Sequence, residues 1–211
     1  MLAYTTRCIH KNYVGRCDFC KEKFFGEKYW LHGWALDAYT NQNGKTPFGE
    51  LIHTIKYRLQ NEPDKAAKKA EPLLIELKKF LIKMYPIRNR PFDCIVYPPS
   101  NTQRSFHLMQ HLADNLSYAS MKNRSSEIVK IKQHSTVKGI SVKERGTILR
   151  NTMKVQPDTL KASPKGILII DDVLETGSTA KELCRALEVA WPNIPRYYLA
   201  LTYLMDRKKI L

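Results

Sequence analysis

The sequence predicts an α/β domain built on a parallel, doubly wound sheet with flanking helices. Three observations carry this. Short apolar segments at 93–97, 128–131, 167–170 and 197–203 alternate with segments of helical periodicity. One of those strands ends on adjacent carboxylates, Asp171 and Asp172, and a glycine follows before the next helix. The length, 211 residues, suits one such domain plus a small appendage.

Along the chain, Trp30 to Tyr39 is aromatic and apolar enough for a strand. TNQNGKTP then gives a turn at Asn43-Gly44 and Pro47 before a helix with Leu51, Ile52, Ile55 and Leu59 on one face. Asp64 to Met84 reads as a basic amphipathic helix, with Leu73, Leu77, Phe80, Leu81 and Met84 on its apolar stripe. Pro72 is expected to start or kink its main part.

Asp93 to Tyr97 is the first strand of the main unit and Gln103 to Leu116 its helix, with Phe106, Met109, Leu112 and Leu116 at helical spacing. Ile128 to Ile131 is the second expected strand and Ile167 to Ile170 the third. The helix Ser178 to Ala190 follows, and Tyr197 to Tyr203 is the fourth strand. Between the second and third strands runs a long basic stretch in which only ILRNTM is expected to order locally.

Thirty-five Lys and Arg stand against 20 Asp and Glu, a net charge of +15 that favours polyanionic partners. Lys122 to Arg145 is the most basic segment, seven Lys or Arg against two Glu. No apolar run approaches the ~18 residues of a membrane span, so no membrane insertion is expected. MLAYTTRCIHKNY also lacks the pattern of a signal peptide, and the expected location is cytoplasmic.

The sharpest chemical signal is ILIIDDVLETGST, residues 167 to 179. At the carboxyl end of a parallel strand, Asp171 and Asp172 suit the adjacent hydroxyls of a ribose. Gly177 permits close approach of backbone to ligand. The N–H groups of residues 177 to 179, with the hydroxyls of Thr176, Ser178 and Thr179, make an anion site at a helix N-terminus. The plainer alternative is a buried strand with an acidic end and a capped helix. A Walker B strand also ends in acids, but no G-x-x-x-x-G-K-[ST] occurs here.

This segment resembles the phosphoribosyltransferase fingerprint, an apolar strand followed by D/E-D-x-x-x-T-G-x-T, which in that family binds the ribose 5-phosphate of phosphoribosyl pyrophosphate. The resemblance extends to the ComF family of competence proteins through KTPFGELIHTIKYR, DCIVYPPSNTQRSFHLMQHLADNL and KGISVKERGTILRNTM. It implies a phosphoribosyltransferase-type sheet preceded by a zinc finger, and a substrate, phosphoribosyl pyrophosphate, that arrives with Mg2+.

The same resemblance implies site residues. Lys56, in the pair Lys56-Tyr57, is expected at the ligand. Pro98 to Arg104 would form a pyrophosphate-binding loop in which Pro99, Ser100 and Asn101 present backbone and hydroxyl donors. Lys138, Lys143 and Arg145 would lie on a flexible catalytic loop that closes over the pyrophosphate, against the alternative of a solvated basic loop. Glu175 holds the variable place before Thr-Gly and is a candidate general base; a plain surface glutamate is the alternative.

Cys8, His10, Cys17 and Cys20 supply the ligand set of a closed structural zinc site. ComF proteins often carry four cysteines there, which leaves open whether His10 or His32 completes the set. His107 and His111, one helical turn apart, fit a solvated face better than a metal site. The expected division is a zinc-finger region at 1–35, a helical hood or connector at 36–90 and a phosphoribosyltransferase core at 91–211.

Two functions follow from the resemblance. One is a phosphoribosyltransferase with an unidentified acceptor, acting in DNA uptake and natural transformation with contact to single-stranded DNA or another nucleic acid. The other is a nucleic-acid-binding or regulatory protein that keeps the pocket without turnover, including one of phage defence, with protein partners in a DNA-processing system. Tyr29, Trp30, Trp34 and Tyr57 are the aromatics expected to stack bases.

Overall fold

The computed structural model describes residues 29–41, 43–100, 102, 104–117, 121–131, 142–158 and 161–204. The zinc-ligand candidates Cys8, His10, Cys17 and Cys20, and also Asn101 and Lys138, lie outside them. Nine strands and five α-helices are formed among the described residues. The strands are β1 (His32–Ala38), β2 (Thr40–Asn41), β3 (Gly44–Lys45), β4 (Cys94–Val96), β5 (Lys122–Asn123), β6 (Ile128–Lys130), β7 (Met153–Val155), β8 (Ile167–Leu174) and β9 (Arg196–Tyr203). The helices are α1 (Pro47–His53), α2 (Pro63–Met84), α3 (Leu108–Leu116), α4 (Val142–Leu149) and α5 (Ser178–Ala190).

Five strands form one parallel sheet in the order β1-β9-β8-β4-β5. Alternation along β8 decides which core each side chain enters. Leu168 and Ile170 join Leu199, Leu201, Ile95 and the apolar faces of α2 and α3. Ile167 and Ile169 join Cys94, Val96, Tyr198 and the apolar face of α5. Helices therefore cover both faces of a parallel sheet, an arrangement compatible with a doubly wound α/β fold.

α1 begins where the sequence sets a cap and a rigid first turn. Thr46 Oγ1 accepts from the Gly49 N–H at 3.0 Å, and Pro47 follows the cap. Gly49 has to be glycine, because a Cβ there would collide with the Tyr39 carbonyl. The helix passes directly into a π-helical turn at Thr54–Arg58, which carries Lys56.

Several expectations change. Ile128–Lys130 is a strand, but it pairs antiparallel with Met153–Val155 outside the parallel sheet; the strand beside β4 is the short polar Lys122–Asn123. Pro72 lies inside α2 and does not start it: Pro63 does, and Pro72 sits on the solvent face, where its missing N–H is tolerated. The helix after β4 begins at Leu108. Residues 35 and 36 both belong to β1, which is hydrogen bonded along β9, and α2 shares a core with β8 and β9.

Candidate active site at the carboxyl ends of β4 and β8

From β4 the chain proceeds to β5 on one side, and from β8 to β9 on the other, so the strand order reverses between β4 and β8. A crevice is expected outside the carboxyl ends of such a pair. A pocket of about 240 Å³ lies there, lined by Pro98 and Pro99 after β4, by Asp171 through Ala180, which run from the end of β8 through the turn into α5, and by Leu149 at the end of α4.

The strand dictates the setting of the two carboxylates. Ile167 to Ile170 are buried, and Asp171 and Asp172 are half-buried where β8 emerges from the core. Asp171 Oδ2 accepts from the Tyr198 hydroxyl at 2.9 Å, and its Oδ1 accepts from the Asp172 N–H at 2.9 Å. Asp172, one residue on and so on the other face, is ion-paired with Lys56 from the π-helical turn. Thr202 Oγ1 donates to the Asp172 carbonyl at 3.0 Å.

These surroundings set the charges. Burial, then the neighbouring Asp172 carboxylate, pushes Asp171 up to about 7 against the opposing hydrogen bond from Tyr198. Burial opposes the charge of Lys56, but the Asp172 carboxylate more than offsets it and holds the ammonium above its ordinary range. Burial, then Asp171, raises the Tyr198 phenol well above its usual value, which keeps it a donor.

After β8 the chain turns through Gly177 at φ 71°, the left-handed region that glycine alone enters without strain, and α5 begins at Ser178. No side chain forms an N-cap hydrogen bond from Gly177 itself. The Thr176 and Ser178 hydroxyls lie 2.9 Å apart, and the Ser178 N–H donates to Thr176 Oγ1 at 3.4 Å. Thr176, Gly177, Ser178 and Thr179 thus stand together on one wall of the pocket that Asp171 and Asp172 also line. Glu175 is exposed and lines the same pocket.

A smaller cavity of about 110 Å³ lies beside the Lys56–Asp172 pair, lined among others by Ser100, Arg104, Tyr97, Phe106 and His107. Pro99 has no N–H, so of Pro99, Ser100 and Asn101 it is Ser100 that offers a donor among the described residues. The Ser100 hydroxyl is engaged with the Thr102 backbone at 3.1 Å in both directions. Arg104, the last residue of the expected pyrophosphate loop, places its guanidinium 5.4 Å from the Tyr57 ring centre, and its buried Nε has no hydrogen-bond partner. Arg145 belongs to α4, whose Leu149 reaches the larger pocket. His111 packs on Phe106 with its Nε2 buried, so the pair His107 and His111 is not on a freely solvated face.

Two expectations about charge and stacking are corrected. Trp30 and Trp34 are 4% and 3% exposed, part of the two cores, and offer no face to a base. Tyr57 is 43% exposed. Within the basic segment, Arg124 is buried against Glu127 through hydrogen bonds of 2.7 and 2.8 Å and lies 4.6 Å from the Trp191 ring centre, so it adds nothing to a solvent-facing patch. His32 opens β1 and stacks on Tyr197 at 6.0 Å. Cys94 and Cys184 are buried, which pushes each thiol up to about 12, and neither is a thiolate donor at neutral pH. No group of three or more metal-binding side chains occurs among the described residues.

No known family model matches the chain, and no curated protein matches it.

Proposed function

We propose that this chain is a phosphoribosyltransferase-like protein of the ComF type that binds phosphoribosyl pyrophosphate together with its Mg2+. The observation that carries the reading is the convergence, in one pocket at the strand-order reversal, of Asp171 and Asp172 with the Gly177 turn and the start of α5. The 5-phosphate sits on Thr176 to Thr179, where N–H groups and hydroxyls meet it. The ribose hydroxyls donate to the carboxylates of Asp171 and Asp172. The pyrophosphate lies toward Ser100 and Lys56, with Lys138, Asn101 and Arg145 supplied from their own segments.

In turnover, an acceptor nucleophile forms a bond to the anomeric carbon while the bond to pyrophosphate breaks, and Glu175 takes the acceptor's proton. The chain's own part is to hold the ribose by its hydroxyls, anchor the phosphate at the other end and stabilise the departing charge with cations. Closure of the basic segment would keep water from the anomeric carbon. At the N-terminus, Cys8, Cys17 and Cys20 with His10 or His32 suit a structural zinc ion by their donor chemistry.

The test is thermal. Phosphoribosyl pyrophosphate with Mg2+ should raise the Tm of the wild-type chain and leave that of Asp171→Asn/Asp172→Asn unchanged, with the variant still folded. Equal stabilisation of both would remove the carboxylates from the site.

A second role, contact with single-stranded DNA, is favoured by the exposed Tyr57 ring with Arg104 over it, beside Arg58, in a chain of net charge +15. It fits a cytoplasmic protein of DNA uptake, or a regulatory or phage-defence protein that retains the pocket. Affinity falling steeply between low and moderate salt supports it, and salt-independent or absent binding excludes it.

A further inference from the structure

β9 approaches the acidic pair at two points. Asp171 lies opposite Ala200 in the parallel register, and Tyr198, two residues earlier, shares the face of Ala200. The Tyr198 hydroxyl donates to Asp171 Oδ2 at 2.9 Å. Thr202, two residues later, donates to the Asp172 carbonyl at 3.0 Å.

Tyr198 is fully buried, and its ring is stacked on Trp30 at 4.8 Å with 19° between planes. The hydroxyl is therefore delivered from a fixed ring in the second core. Asp171 Oδ1 is held independently by the Asp172 N–H. Both carboxylate oxygens are oriented from inside the protein, and each keeps a second lone pair for a ligand hydroxyl.

We infer that Tyr198 is a positioning residue for Asp171: held by Trp30, its hydroxyl fixes the carboxylate in the orientation that meets the ligand in the larger pocket. This rests on the reading of that pocket as a ribose phosphate site. The other groups around Asp171 are Asp172 beside it and Lys56 from the π-helical turn, and Cys184 of α5 lies near Tyr198. Tyr198 donates from a neutral hydroxyl, so it orients Asp171 without bringing a charge to the site. No sequence motif marks this tyrosine, which sits in an otherwise ordinary apolar strand.

The experiment uses the full chain and Tyr198→Phe, which keeps the ring on Trp30 and removes one oxygen. The titration midpoint of Asp171, followed by carboxyl ¹³C NMR, should rise, because a donor to the ionised form is lost. Affinity for phosphoribosyl pyrophosphate with Mg2+ should fall about tenfold, the scale of a hydrogen bond to a charged group. Trp30→Phe, which keeps the hydroxyl but loosens the stack, should shift both readouts less, and it serves as the working variant if Tyr198→Phe does not fold. An unchanged Asp171 midpoint and unchanged affinity overturn the inference. If the wild-type chain takes up no phosphoribosyl pyrophosphate, the ligand assignment fails, and the Asp171 midpoint alone still decides whether Tyr198 positions the carboxylate.

Discussion

Lys56 and Asp172, 116 residues apart in the chain, form an ion pair that ties the π-helical turn after α1 to the acidic end of β8. Both side chains are largely buried, at 24% and 20% exposure, so removing one leaves the other poorly solvated. Lys56→Met should cost about 1–3 kcal/mol in urea unfolding. Adding Asp172→Asn should recover part of that loss, because the unpaired carboxylate is then gone; a double variant showing the plain sum of the two single losses would mean the pair is not coupled.

The same pair predicts a response at high pH. The ammonium is held above its ordinary value in the folded chain. Its contribution is therefore complete below the unfolded lysine value of about 10.4 and is lost as pH rises through the folded value. Wild-type stability should fall more steeply above that pH than that of Lys56→Met, measured by urea midpoints across the alkaline range.

Asp171 predicts the opposite of the usual aspartate behaviour. Its value moves from 3.8 to about 7 on folding, so the native state holds a proton that the unfolded state has lost. Stability contributed by this group declines as pH rises from about 4 to about 7. Asp171→Asn should lack that decline and be more stable than wild type at pH 8, while losing ligand binding. A variant whose stability follows the wild-type pH profile would contradict this.

Gly177→Ala puts a side chain where φ is 71°. Strain of about 1 kcal/mol is expected in unfolding, with the added methyl group at the turn proposed to hold the phosphate. Binding of phosphoribosyl pyrophosphate should suffer more than stability does, which calorimetry and urea unfolding together distinguish. A loss of stability with full affinity would place the phosphate elsewhere.

Strand β7, which follows the basic segment and α4, is fastened to α5 by two groups. Arg185 donates to the Met153 carbonyl at 2.8 Å, and Glu182 accepts from the Met153 N–H at 3.1 Å. Burial would raise the Glu182 carboxyl, but the hydrogen bond from Arg185 holds it below the usual range. Arg185→Ala should speed hydrogen exchange at the Met153 amide. Unchanged exchange would mean that Arg185 does not hold β7.

The parts of this fold legible in the sequence are those set by local pattern. The helix Ser178–Ala190 follows from its apolar periodicity after a glycine turn, and the strand at Ile167 from a buried run of β-branched and apolar residues. Long-range pairing was not legible. Ile128–Lys130 has the composition of a sheet strand, yet its partner is Met153–Val155, whereas Lys122–Asn123 joins the parallel sheet with no apolar signal. At the site, the Asp-Asp and Thr-Gly-Ser-Thr residues announced themselves because the chemistry is contiguous. Tyr198 and Thr202 did not, because each reaches the site only through strand register.

Isothermal titration of the purified chain with phosphoribosyl pyrophosphate in excess Mg2+ needs no knowledge of the acceptor and reads the proposed pocket alone. Saturable binding to the wild-type chain, lost in Asp171→Asn/Asp172→Asn, is the expected result. No binding by a folded wild-type chain, or equal binding by the variant, would contradict the assignment of the pocket between β4 and β8.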